Sequence, residues 1–199
     1  MPIRLDKGDT FDLHTNSPAL KSAGIGLGWD VKSAKAGILS SFFGGTPAEY
    51  DLDVSAFVLG PNGKLISDSY FVFFNNKSAP DRAVVHSGDN RTGEGEGDDE
   101  TIFVDFDRLP KDAQTVTIWV TLYKAAERKQ SLGEVENAYV RLYDQAGNTE
   151  LLKFELAKLQ KSETALEFCK LTRSGAGWIF HAVGEGHPLE IGGVLARFT

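Results

Sequence analysis

The chain contains a single cysteine, Cys169, which excludes an internal disulfide framework. It has no run of about 18 apolar residues, so no helical membrane span is expected. Its start, MPIRLDKGDTFDL, lacks the apolar region of a secretion signal. These absences point to a reducing, cytoplasmic setting and leave open only a peripheral contact with a membrane. Positive charge is also short. There are 21 Lys and Arg against 28 Asp and Glu, a net charge of −7, and the pI is near 5.1. That balance argues against nucleic acid as the main partner, because phosphate contacts need clustered Lys and Arg. The four histidines, His14, His86, His181 and His187, show no metal spacing such as H-E-x-x-H and read as core or surface residues. Gly24-Ile25-Gly26-Leu27-Gly28 lacks the strand-to-helix turn that a dinucleotide-binding G-x-G-x-x-G needs. No tandem repeat of fixed period is present.

What is present fits an all-β fold. A length of 199 residues suits a single domain over 1–199. The 41% of hydrophobic residues, with 13 Phe and 3 Trp, can fill its core. Strands are expected at Thr10–Leu13, Ile25–Asp30, Tyr50–Leu59, Tyr70–Phe74, Ala83–His86, Thr101–Phe106 and Thr115–Tyr123. Two hairpins follow. One joins Asn137–Tyr143 to Leu151–Leu156, the other Ala165–Leu171 to Trp178–Val183. The glycines of Ile25–Asp30 suggest close approach by another backbone. Ala34–Glu49 reads as a loop, Pro61-Asn62-Gly63-Lys64 and Gly184-Glu185-Gly186 as turns. Lys124–Gln130 suits one or two helical turns and Gly192–Phe198 a short closing helix. About ten strands with few short helices predict an antiparallel β-sandwich. Cys169 reads as a buried thiol.

One stretch stands apart. Asp89–Glu100 holds six carboxylates and one Arg, a net −5 within twelve residues. If the segment is extended, Glu94, Glu96, Asp98 and Glu100 point to one side and Gly93, Gly95 and Gly97 to the other. Carboxylates, carbonyls and amides are the oxygen ligands that Ca²⁺ takes, usually six to eight of them. The lack of a nearby Cys argues against zinc and copper. Arg91 and Gly93 break an EF-hand pattern, and the Gly–acid alternation occurs once rather than in the arrays of calcium-binding β-helices. The competing reading is a solvated acidic tip. Asp51 and Asp53, and Asn75-Asn76, also fall at expected strand ends, where the loops of a sandwich gather. Taken alone, the first pair suits a surface strand and the second a turn.

Gly26-Leu27-Gly28-Trp29-Asp30, Asp51–Phe57, Phe71–Asn76 and Gly88–Glu100 together resemble the TerD family of tellurium-resistance and stress-response proteins. Asn137–Arg141 and Gly177-Trp178 extend the resemblance over nearly the full length. It implies a calcium-binding β-sandwich with two neighbouring ions, no established catalytic activity, and other stress-operon proteins as partners. The metal ligands it implies are Asp30, Asp51, Asp53, Asn75, Asn76, Asp89, Asn90, Glu94, Glu96, Asp98, Asp99 and Glu100. Two departures concern Tyr123-Lys124, where the family usually carries an acidic or His-Asp-like pair, and an insertion between Asp30 and Tyr50 longer than in the shortest members. The expected function is a non-enzymatic calcium-dependent scaffold or sensor. The alternatives are a metal-dependent hydrolase and a calcium-dependent, lectin-like binding module.

Overall fold

A computed structural model describes residues 2–31, 50–88, 98–155 and 162–199, with the side chains of Asp30 and Val31 outside the description. The expected loop Ala34–Glu49 lies outside the described residues, as do Asp89–Gly97. Twelve strands are described. They are β1 (Ile3–Leu5), β2 (Thr10–Asp12), β3 (Ser22–Val31), β4 (Leu52–Leu59), β5 (Phe71–Val72), β6 (Val84–His86), β7 (Glu100–Asp105), β8 (Thr115–Leu122), β9 (Val135–Asp144), β10 (Thr149–Glu155), β11 (Ala165–Ser174) and β12 (Gly177–His187). Three short helices accompany them: α1 (Leu13–Asn16), α2 (Ala125–Arg128) and α3 (Ile191–Leu195). The strands form two six-stranded sheets, β1-β10-β9-β3-β7-β6 and β2-β12-β11-β8-β4-β5. All pairings are antiparallel except β1 on β10. No described helix is long and apolar enough to cross a membrane.

The sheets share one core. Ile25 and Leu27 of β3, Val54, Ala56 and Val58 of β4, Ile102 of β7, and Ile118 and Val120 of β8 all belong to it. The period-2 pattern of β4 is real, yet both of its faces are buried. Phe57 and Leu59 point away from the shared core into a second cluster with Trp119 and Val194. Helix α3 and Phe198 cover that face, so a strand that alternates still has no solvent side. Phe57 stacks on Phe71 at 4.6 Å and Phe71 on Phe73 at 4.3 Å.

Several expectations change in detail. Tyr70–Phe74 is not one strand: Asp68–Tyr70 is a 3₁₀ turn, and pairing covers only Phe71 and Val72. Phe73 and Asn76 then exchange backbone hydrogen bonds across a tight turn, at 3.0 and 2.9 Å. Gly184-Glu185-Gly186 is not a turn but part of β12. Gly184, at φ +58°, lies where the β11–β12 register shifts, so it serves a bulge. The close approach at β3 comes from side chains rather than a backbone. A Cβ on Gly24 would meet the Tyr143 ring, one on Gly26 the Asp98 carboxylate, and one on Gly28 the Tyr139 ring. The glycines give the outer face of β3 a trough in which three side chains lie flat.

Cys169 is fully buried, and burial raises its thiol pKa. A thiol reagent is therefore expected to label it only through opening of the fold, at a rate that rises steeply with denaturant. Immediate labelling of native protein would contradict this packing. Gly24→Ala is expected to destabilise by about 1–3 kcal/mol, because the Tyr143 ring must leave its trough. Pairing it with Tyr143→Ala should remove most of that penalty, as read in a double-mutant cycle by denaturant melts.

Candidate metal centre

The acidic stretch joins the framework where β3 and β6 finish and β4 and β7 begin. Its last three residues are described, and each is held differently. Asp99 donates its N–H to Leu27 O at 2.8 Å and accepts the Trp29 N–H on Oδ2 at 2.9 Å. Glu100 lies between the sheets and is 1% exposed. Its Oε2 accepts the N–H of Val54 at 2.7 Å. Strand β5 pairs only with Ala56 and Phe57, so this part of β4 extends beyond its edge neighbour. Glu100 thereby ties the first sheet to the second.

Asp98 goes the opposite way. Its carboxylate lies over Gly26 on the outer face of the first sheet. Arg141 Nε donates to both of its oxygens, at 2.7 and 3.0 Å, and the Tyr139 hydroxyl donates to Oδ1 at 3.3 Å. Asp98 and Glu100 thus do not share a side, which corrects the alternation expected of an extended segment. The cause is the bend at Asp99, pinned through both its amide and its carboxylate. Burial first, and then the Asp98 charge, push the Tyr139 hydroxyl up to about 12. The hydrogen bond from Arg141 to Asp98 raises the guanidinium pKa further.

Asp51 and Asp53 stand at the start of β4, at the same end of the sandwich. Asp53 is buried, opposite Thr121 of β8. Asp51 accepts the Tyr123 N–H on its carbonyl at 2.9 Å, and its carboxylate lies 3.8 Å from Arg128. The cations of Lys124 and Arg128 lie over the Tyr123 ring, at 5.7 and 5.2 Å. Asn76 donates its amide to Phe71 O at 2.7 Å and Ser69 O at 3.3 Å, which is the local role of a turn residue. Asn75 is exposed beside it. The backbone of Asp30 is placed in β3, directly after Trp29, whose N–H holds Asp99. Asp89, Asn90, Glu94 and Glu96 lie outside the described residues.

Two contributors were not singled out by the sequence pattern. His86 is buried with Nε2 at 3.7 Å from Glu100 Oε2. Its Nδ1 accepts the Gly88 N–H at 3.1 Å, so a neutral ring carries its proton on Nε2, facing the carboxylate. Arg141 is the other. Both partnerships need the pairing of distant strands, which no local motif encodes.

The gathered side chains are carboxylates, the donor type of a hard cation. Among the described residues, no group of three or more His, Cys, Asp or Glu is close enough to hold a metal. A full coordination shell would need donors from 89–97. The described part is a frame of carboxylates that fixes one end of an acidic segment.

The TerD domain family matches residues 1–198. Tellurium resistance protein TerD of Serratia marcescens is 37% identical over 198 residues, covering 100% of this chain and 97% of that protein. Stress response protein SCP2 of Bacillus subtilis (strain 168) is 38% identical over 200 residues, covering 100% of each. The crystal structure of a Streptomyces coelicolor A3(2) homologue of telluride resistance protein TerD superposes with a TM-score of 0.64 at 23% identity. It covers 87% of this chain and 94% of that one, and shows the same fold. With its two sheets, its pinned acidic stretch and these relatives, the chain belongs to the TerD family.

Proposed function

We propose that this protein is a non-enzymatic, cytoplasmic calcium-binding module acting as a scaffold or sensor in a stress response. Its relatives carry tellurium-resistance and stress-response names, which supports the stress setting. The observation that carries the calcium reading is the anchoring of the acidic stretch. A segment of net −5 is fixed at its C-terminal end by Asp99 and Glu100, beside the buried Asp53. Carboxylates crowded in this way repel one another, and a divalent cation offsets that repulsion.

In this reading Asp51, Asp53 and Asp99 supply oxygens from the frame, and Asp89, Asn90, Glu94 and Glu96 supply them from the segment. Asp30, Asn75, Asn76 and Glu100 complete the candidate set. Asp98 positions the segment, because both of its oxygens already accept from Arg141. Two neighbouring ions would convert a self-repelling stretch into one rigid surface at the end of the sandwich. Other proteins of the same stress response are the proposed readers of that surface.

Calorimetric titration of metal-stripped protein is expected to show Ca²⁺ binding tighter than Mg²⁺, since Mg²⁺ demands stricter octahedral geometry. Stability should rise with CaCl₂ by RT ln(1 + [L]/Kd), about 2.7 kcal/mol at one hundred times Kd, and the melting temperature should rise with it and fall again with chelator. The gain should fade on acidification, because protons compete for the carboxylates. A melting temperature indifferent to calcium would return the stretch to a solvated acidic tip.

Asp53→Asn or Glu96→Gln should each weaken calcium at least about tenfold, a change of about 1.4 kcal/mol. Asp98→Asn should weaken it less and lower stability in the absence of calcium as well, while Cys169→Ser should leave binding unchanged. Calorimetry and melts of the four variants, with and without chelator, check this ordering.

A further inference from the structure

At the end of the sandwich opposite the acidic stretch, a cavity of about 510 Å³ opens between the two sheets. It lies where β3 starts and β7 finishes, about 20 Å from Glu100 at 3.3 Å per strand residue. Its volume falls in the range of small-molecule sites, about 300–1,000 Å³. Trp178 and Phe106, in contact at 5.8 Å between ring centres, form its apolar side together with leucines of α1 and of the segment after it. Gly177 makes this wall possible: a Cβ there would meet the side chain of His14, which packs over it from α1.

The polar lining reverses the sign of the whole molecule. Lys21, Lys111 and Arg173 line the cavity against the single carboxylate of Asp107, in a chain of net −7. Arg173 is held without being neutralised. Its Nε donates to Ala113 O at 2.7 Å, its Nη2 to Pro110 O at 3.2 Å, and its guanidinium stacks on the Trp178 ring at 4.6 Å. Among the described residues Arg173, Lys21 and Lys111 form no ion pair, and Arg173 Nη1 donates no hydrogen bond. A guanidinium locked by two neutral carbonyls and an indole is oriented in advance, so an oxyanion gains charge-assisted hydrogen bonds without ordering the arginine first. The two lysines add charge at the rim without fixed geometry.

We propose that this cavity is a binding site for a small organic anion, with a planar apolar body against Phe106 and the leucines and a phosphate or carboxylate on Arg173, Lys21 and Lys111. The site is independent of calcium, because the acidic stretch lies at the far end of the same strands.

The test is titration of the full chain with phenyl phosphate, benzoate, phenol and inorganic phosphate, read by calorimetry and tryptophan fluorescence. It is run once in chelator and once in CaCl₂, so that its outcome is separate from that of the calcium reading. Saturable one-to-one binding is expected for phenyl phosphate, benzoate or both, at least about tenfold tighter than phenol or inorganic phosphate. Which of the two binds tighter identifies the headgroup. Lys21→Gln with Lys111→Gln should weaken binding about tenfold. Both lysines are exposed and unpaired, so that variant keeps the fold. Arg173→Gln should weaken binding more, with circular dichroism checking that the turn at Pro110–Ala113 survives. No saturation by either organic anion up to about 10 mM overturns the proposal. So does affinity unchanged in the double lysine variant, or inorganic phosphate or phenol binding as tightly as the organic anions.

Discussion

The carboxylate of Glu100 accepts a backbone N–H from the opposite sheet while almost wholly removed from water. A carboxylate in that position is costly unless its oxygens are matched by donors. Here the Val54 N–H and the Nε2 side of His86 face it. The arrangement ties sheet to sheet at one end and fixes the exit of the acidic stretch. The two neighbours of the linkage follow from it. Asp99 must turn to bring Glu100 inward, and Asp98 is then carried to the outer face, where Arg141 and Tyr139 receive it.

The glycines of β3 belong to the same construction. A strand with ordinary side chains at positions 24, 26 and 28 would push Tyr143, Asp98 and Tyr139 away from the sheet. The Arg141 guanidinium, stacked on Tyr143 at 4.7 Å, would lose its place beside Asp98. A sequence feature that resembles a phosphate-binding loop is thus a packing device for the outer face, and it seats the Asp98 carboxylate.

Much of the architecture was legible in the residues. Period-2 runs bounded by Gly, Pro and Asn located most strands, and the Asn148 and Gly175 turns located the last two hairpins. The parallel strand β1 was missed, because Ile-Arg-Leu is too short to carry a pattern. Tyr70–Phe74 read as one strand, but the backbone groups of Phe73 turn to Asn76, which ends the ladder at Val72. At the candidate centre, residue type was legible and side was not. Nothing local in Asp98-Asp99-Glu100 foretells a bend set by Leu27 and Trp29 some 70 positions away. His86 was read as an isolated histidine because its partner is reached only through the β6–β7 pairing.

The first twelve residues have a consequence for how the chain reaches this state. Strand β1 joins β10 in one sheet and β2 joins β12 in the other, so this short segment stitches both layers. It is synthesised well before either of its partner strands. Until β12 emerges, β2 has no sheet to join, and the flank of β11 that β12 will cover stays open. Contacts so distant in sequence slow folding and prolong the exposure of unpaired strands. The order of synthesis therefore leaves strand edges unpaired for a time that the closed sandwich no longer reveals.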